Sequence, residues 1–164
     1  MQNNPIIEIP PTKTVKVLNT IVFLIIVGNL TYAGIVFQSL PEEIPIHFNI
    51  SGETDNWGNK GTIFLLPLLF KVIFLLLYFL QRSPYMFNYP IKVTEVNAKH
   101  LYQLGRLALA VMNVEVALIM AFLTWGIIQT AQGNPVLSLW STLILIILPL
   151  VTILIFIIRM LKYK

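Results

Sequence analysis

The sequence predicts an all-α integral membrane protein, a four-helix transmembrane bundle with a short extended, partly ordered outer loop between helices 1 and 2. Three observations predict it. Of 164 residues, 57% are hydrophobic and 11% charged, against roughly 45–50% and about 25% in a soluble domain. The apolar residues fall in four long blocks, about 17–38, 62–81, 101–128 and 136–159. Each approximates the ~20 residues that cross ~30 Å of hydrocarbon. The long polar segment between the first two blocks, 40–61, carries four of the seven carboxylates and one of the two histidines.

Residues 1–16 form a polar tail with Pro5, Pro10 and Pro11, expected to be disordered or to lie on the membrane surface. The four spans then make one membrane domain, 17–161. In the first, Gly28, Thr31, Ile35 and Gln38 recur at helical spacing, and such a small and polar stripe is expected to face other helices. The second span carries Pro67 and, near its middle, Lys71. A connection with Pro84, Pro90 and the aromatics Tyr85, Phe87 and Tyr89 leads to the third span. There Arg106, Ala110, Asn113, Ala117, Ala121 and Thr124 share one face, and Ala108, Met112, Glu115 and Phe122 the other. Two unlike faces predict neighbours on both sides of this helix. A turn through Gly133 and Pro135 precedes the last span, in which Pro149 is the expected kink point.

Orientation follows from the basic residues. Lys13, Lys16, Arg82, Lys92, Lys99, Arg106, Arg159, Lys162 and Lys164 fall on one side of the predicted bundle, and Lys60 alone on the other. The expectation is a multi-pass plasma-membrane protein with both termini cytoplasmic and residues 40–61 outside. Scattered basic residues at membrane edges give no nucleic-acid site. With no cysteine there is no thiolate nucleophile, disulfide or cysteine metal site.

Within the outer loop Ile44, Ile46, Phe48 and Ile50 alternate with Pro45, His47 and Asn49. A period of two predicts an extended segment with one apolar and one polar face. The apolar face is expected to lie on the helix ends, with Trp57 as an interface anchor. His47, Asn49, Glu53 and Asp55 would then face outward.

The stretch LPEEIPIHFNISGETDNWGNKG resembles the domain of unknown function at the N-terminus of SdpI-type membrane proteins, which include bacterial immunity and signalling proteins for secreted toxins. The resemblance rests on Leu40, Pro41, Ile44, Pro45, His47, Phe48, Gly52, Asp55, Trp57 and Gly58. A weaker likeness surrounds Asn88, Pro90, Asn97 and Tyr102, and the whole covers about 16–130. It implies a membrane location and a role in immunity or signalling. Longer proteins of that type carry a further C-terminal membrane region.

Two groups are candidate sites. His47, Asn49, Gly52, Glu53, Asp55 and Trp57 would bind a ligand or structure the loop, with His47 and Asp55 bonded to the loop's own backbone in the structural case. His47 and the nearby carboxylates are suitable metal ligands, but their spacing matches no metal motif, so no metal or other cofactor is assigned. Lys71 and Glu115 form the second group. Ionisable groups within a span face the bundle interior or a cavity. Lys71 lies eleven residues before Arg82 and Glu115 nine after Arg106, roughly 16 and 14 Å along the helices. Similar depth predicts an intramembrane ion pair, structural or part of an ion pathway.

No arrangement of nucleophile and base supports catalysis. The leading expectation is a non-enzymatic membrane protein whose outer loop binds or senses an extracellular molecule. Its expected partners are the lipid bilayer, an extracellular peptide or partner membrane protein, and a second copy as homo-oligomer. The alternative is a small transporter or channel subunit using Lys71 and Glu115.

Overall fold

The computed structural model describes residues 4–164. Its order is helix α1 (Lys13–Val36), strands β1 (Glu43–Phe48) and β2 (Thr54–Asn59), then helices α2 (Leu65–Leu80), α3 (Ala98–Ala131) and α4 (Leu139–Leu161). All four helices, α1 and α2 counted with their adjoining 3₁₀ turns, are long and apolar enough to cross a membrane. The all-α expectation needs one correction. The extended loop is a two-stranded antiparallel sheet, because the chain doubles back through a turn at Gly52 and pairs with itself.

Helix α3 is the centre, packed against α1, α2 and α4. The predicted division of its faces is observed. Arg106, Ala110, Asn113, Ala117 and Thr124 are buried. Ala117 packs with Val22 and Ile26 of α1 and with Phe70 and Phe74 of α2. On the other face Glu115 accepts a 2.5 Å hydrogen bond from Thr152 of α4. Ends are set by local chemistry. Thr12 caps α1 by accepting from the Val15 amide at 3.3 Å, and Ser138 and Ser141 form a reciprocal capping box on α4, satisfying donors that a helix start leaves free. Helix α4 runs through Pro149, and most of its apolar side chains are exposed.

Helix α1 turns differently from the expectation. Its buried face is Val22, Ile26, Asn29 and Ala33, while Gly28, Thr31, Ile35 and Gln38 are exposed. The bulky residues win because they fill the space against Phe70, Phe74 and Ala117. Asn29 also donates to Thr124 Oγ1 at 3.2 Å, a bond the small-residue stripe cannot make.

The N-terminal tail is also corrected, as far as it is described. Residues 4–11 are tied across the start of α3 and the connection before it. Asn4 donates to the carbonyls of Tyr85 and Phe87 at 2.8 and 3.0 Å, and Tyr102 donates to that of Pro5 at 2.6 Å. Ile9 packs in one cluster with Tyr89, Ile91, Val93, Leu101, Tyr102 and Met160. Residues 1–3 lie outside the described part. At the same end Asn97 donates to the Tyr163 carbonyl at 3.2 Å, and His100 stacks on Tyr163 at 4.9 Å. Residues 4–11 and the end of α4 therefore gather at one end of the bundle, with the hairpin at the other.

Asn113 sits in the middle of the buried α3 face. It is fully buried, and neither side-chain amide atom has a hydrogen-bond partner among the described residues. An unpaired buried amide costs about 1–3 kcal/mol. Asn113→Val should therefore match or exceed the parent in thermal stability in detergent, by up to about 2 kcal/mol. A loss of that size would show that the amide is paired.

Candidate functional site: the docked hairpin

The hairpin begins from an apolar anchor. Leu40 and Ile44 are buried with Ile63 against Ala33 of α1 and Ile128 of α3. Glu42 and Lys60 close its base through a 2.9 Å ion pair and a 2.9 Å bond from the Lys60 amide to the Glu42 carbonyl. Pairing runs Glu43 to Asn59, Ile44 to Gly58 and Pro45 to Trp57, then shifts so that His47 meets Asn56. Ile46 is thus an extra residue at a bulge, and a bulge leaves one residue unpaired and bends its strand.

That bulge overturns the strict alternation. Ile44 and Pro45 are both buried, while Ile46 is 43% and Ile50 65% exposed. The anchoring comes from Leu40 and Ile44, before the bulge, and not from a continuous apolar face.

Five of the six predicted hairpin residues, His47, Asn49, Gly52, Glu53 and Asp55, lie beyond the bulge, and Trp57 lies just before it. Asn49 organises the turn. Its Oδ1 accepts from the amides of Ser51 and Glu53 at 2.9 and 3.0 Å, and its Nδ2 donates to Glu53 Oε2 at 2.9 Å. Gly52 takes φ +83°, and an added Cβ there would meet the Leu137 carbonyl carbon and the Ser138 nitrogen at 2.5 Å. The turn is therefore pressed against the connection between α3 and α4. Trp57 is half exposed, opposite Pro45.

His47 and Asp55 bond to each other rather than to the backbone. His47 Nδ1 lies 2.5 Å from Asp55 Oδ1, and the two side chains are 67% and 45% exposed. The surface thus carries an ordered imidazole–carboxylate pair beside the amide and carboxylate of Asn49 and Glu53. Such groups can hydrogen-bond a peptide backbone or a polar headgroup. Among the described residues no three of His, Cys, Asp or Glu converge as metal ligands.

Lys71 and Glu115 do not form the expected pair. Among the described residues the contacts between basic and acidic side chains are His47–Asp55 and Lys60–Glu42. Depth does correspond, since Arg106 donates to the carbonyls of Gln81 and Arg82 and so levels the two helices. Direction around the helix does not. Helix α2 buries Pro67, Phe70 and Phe74 and leaves Lys71 exposed, while Glu115 turns to Thr152 of α4.

The terminus end carries a second centre, built on Arg106 at the start of the buried α3 face. Arg106 is 6% exposed. It donates to the carbonyls of Gln81 at 2.7 Å and Arg82 at 3.2 Å, and to that of Ile9. It thereby joins the tail, the end of α2 and the start of α3. Its signal was an arginine in register with Ala110, Asn113 and Ala117. Nearby, burial holds the Tyr89 phenol well above the usual tyrosine range, with Tyr102 adding to the effect and Arg106 opposing it. The Tyr89 hydroxyl donates to the Pro84 carbonyl at 2.9 Å.

Residues 24–70 match a family described as a domain of unknown function, DUF1648. That stretch runs from the middle of α1 through the hairpin into α2, so it contains the whole candidate site. An uncharacterized protein of Archaeoglobus fulgidus is 32% identical over 63 residues, 38% of this chain and 34% of that relative. The match therefore spans about a third of the relative's length. No solved structure matches the chain.

Proposed function

We propose that this is a non-enzymatic, multi-pass plasma-membrane protein of SdpI-like type, with both termini cytoplasmic and the hairpin outside. The hairpin binds an extracellular molecule, with a secreted toxin peptide as the first candidate, and the consequence is immunity or signalling. Membrane insertion is supported by the broad exposed apolar surface of the four helices, which exceeds what soluble monomers leave in water. Orientation is supported by the nine basic residues on the terminus side against Lys60 on the other.

One observation carries the binding role. The His47–Asp55 pair is exposed yet ordered, on a hairpin fixed to the helix ends through Leu40 and Ile44. A preorganised polar surface binds without the cost of ordering a loop. Purified protein and cells producing it should be challenged with secreted peptides. His47→Ala/Asp55→Ala should weaken peptide binding by about tenfold or more, as expected when ~1.4 kcal/mol of contact is lost. Stability should move little, since a single exposed polar contact contributes about 1 kcal/mol or less. Unchanged survival and signalling together with no binding by the parent protein would remove the proposal.

The transport alternative has less support. Its two charged residues do not meet, and Glu115 is engaged with Thr152.

A further inference from the structure

At the terminus end a groove of about 720 Å³ opens between α1 and α2, within the ~300–1,000 Å³ of small-molecule sites. Three cations line it, Lys16, Arg82 and the buried Arg106, and no carboxylate does. Neither Lys16 nor Arg82 has a carboxylate partner among the described residues. The Arg82 guanidinium is held over the rings of Tyr78 and Phe79, at 5.4 and 5.2 Å.

The rest of the lining changes character along the helix axes. Phe23 lies seven residues beyond Lys16 on α1, and Phe74 eight residues before Arg82 on α2, with Leu75 beside it. At about 1.5 Å per residue the apolar portion begins ~10–12 Å deeper than the cations. The two helices are level here, because Asn19 of α1 donates to Gln81 Oε1 at 2.9 Å. A cationic mouth above an apolar slot has the polarity of a phospholipid, with an anionic headgroup at the surface and acyl chain below. Basic pockets between spans on the cytoplasmic side take such headgroups.

We propose that this groove binds an anionic phospholipid of the inner leaflet, its phosphate between Lys16 and Arg82 and an acyl chain along Phe23, Phe74 and Leu75. The proposal rests on membrane insertion with the termini inside, and not on any role of the hairpin. Fractionation of cell membranes tests insertion separately: chain that leaves the membrane on alkaline extraction would overturn the insertion itself.

The test uses the full chain in detergent, with thermal stability followed as dioleoyl-phosphatidylglycerol, dioleoyl-phosphatidylcholine or inorganic phosphate is added. Phosphatidylglycerol should raise the melting temperature saturably, and phosphatidylcholine and phosphate should not. Lys16→Ala/Arg82→Ala removes two exposed charges and should fold. At about fivefold for each basic group near an anionic surface, it should raise the half-saturating phosphatidylglycerol concentration about 30-fold. Lys162→Ala/Lys164→Ala removes two charges at the same end but outside the groove and should leave it unchanged. An equal response to phosphatidylcholine, an equal effect of phosphate alone, or an equal loss in the Lys162/Lys164 variant would overturn the site.

Discussion

Arg106→Met is expected to lower the stability of the detergent-purified protein by about 2–4 kcal/mol. Arg106 is almost fully buried and its guanidinium serves carbonyls of Ile9, Gln81 and Arg82. Hydrogen bonds from a charged group contribute about 1.5–3 kcal/mol each, and a stranded carbonyl costs about 1–3. Their sum overstates the loss, because removing a buried cation also removes its desolvation penalty. Arg106→Lys should not restore stability, since one ammonium lacks the planar fork that reaches several acceptors at once. The loss should be visible as earlier proteolysis within residues 4–11 and a lower melting temperature. Parent-like stability in both variants would mean that the Asn4 and Tyr102 bonds and the packing of Ile9 hold the tail without Arg106.

Gly52→Ala is expected to act at the opposite end, with a cost of about 2–5 kcal/mol. Placing a side chain at φ +83° costs roughly 1–2 kcal/mol. The new Cβ would also press on the backbone of Leu137 and Ser138, and forced overpacking costs about 1–3 kcal/mol. Backbone cannot rotate away as a flexible side chain would, so the hairpin should lift from the connection between α3 and α4. Helix content should persist, while hydrogen exchange should rise across 43–59. Protection equal to that of the parent would contradict the docking.

What could be seen in the sequence follows from how far each signal reaches. Long apolar blocks declare helices whatever they pack against, and the spacing of Arg106, Asn113 and Ala117 against Glu115 declared two contacting faces on α3. Helix α1 was misread because it is apolar nearly all round. Its orientation is decided by how Val22 and Ile26 fill space against Phe70 and Phe74, which spacing alone does not reveal. Similarly, counting residues gave the depth of Lys71 and Glu115 but not their direction around each helix. The ordered tail depends on carbonyls of Pro5 and Ile9 meeting Tyr102 and Arg106, each pair 97 residues apart. Backbone acceptors leave no trace in side-chain pattern.

In the hairpin the period-two pattern correctly announced extended chain. One extra residue at Ile46 then changed which side chains are buried. The turn at Asn49 and Gly52 was nevertheless legible, because Asn and Gly cluster where a chain must turn. The direct bond between His47 and Asp55 was not legible, since it requires the register of the two strands.

Everything proposed for the hairpin requires that it face the exterior while the connection between α2 and α3 faces the cytoplasm. The chain contains no cysteine, so single cysteines report position without background. Glu53 is exposed at the hairpin turn, and Val96 is 89% exposed in that connection. In intact cells a membrane-impermeant thiol reagent should label Glu53→Cys, and it should label Val96→Cys only after the membrane is opened. Labelling of Val96→Cys in intact cells, with Glu53→Cys protected until permeabilisation, would contradict the outward hairpin and the binding role built on it.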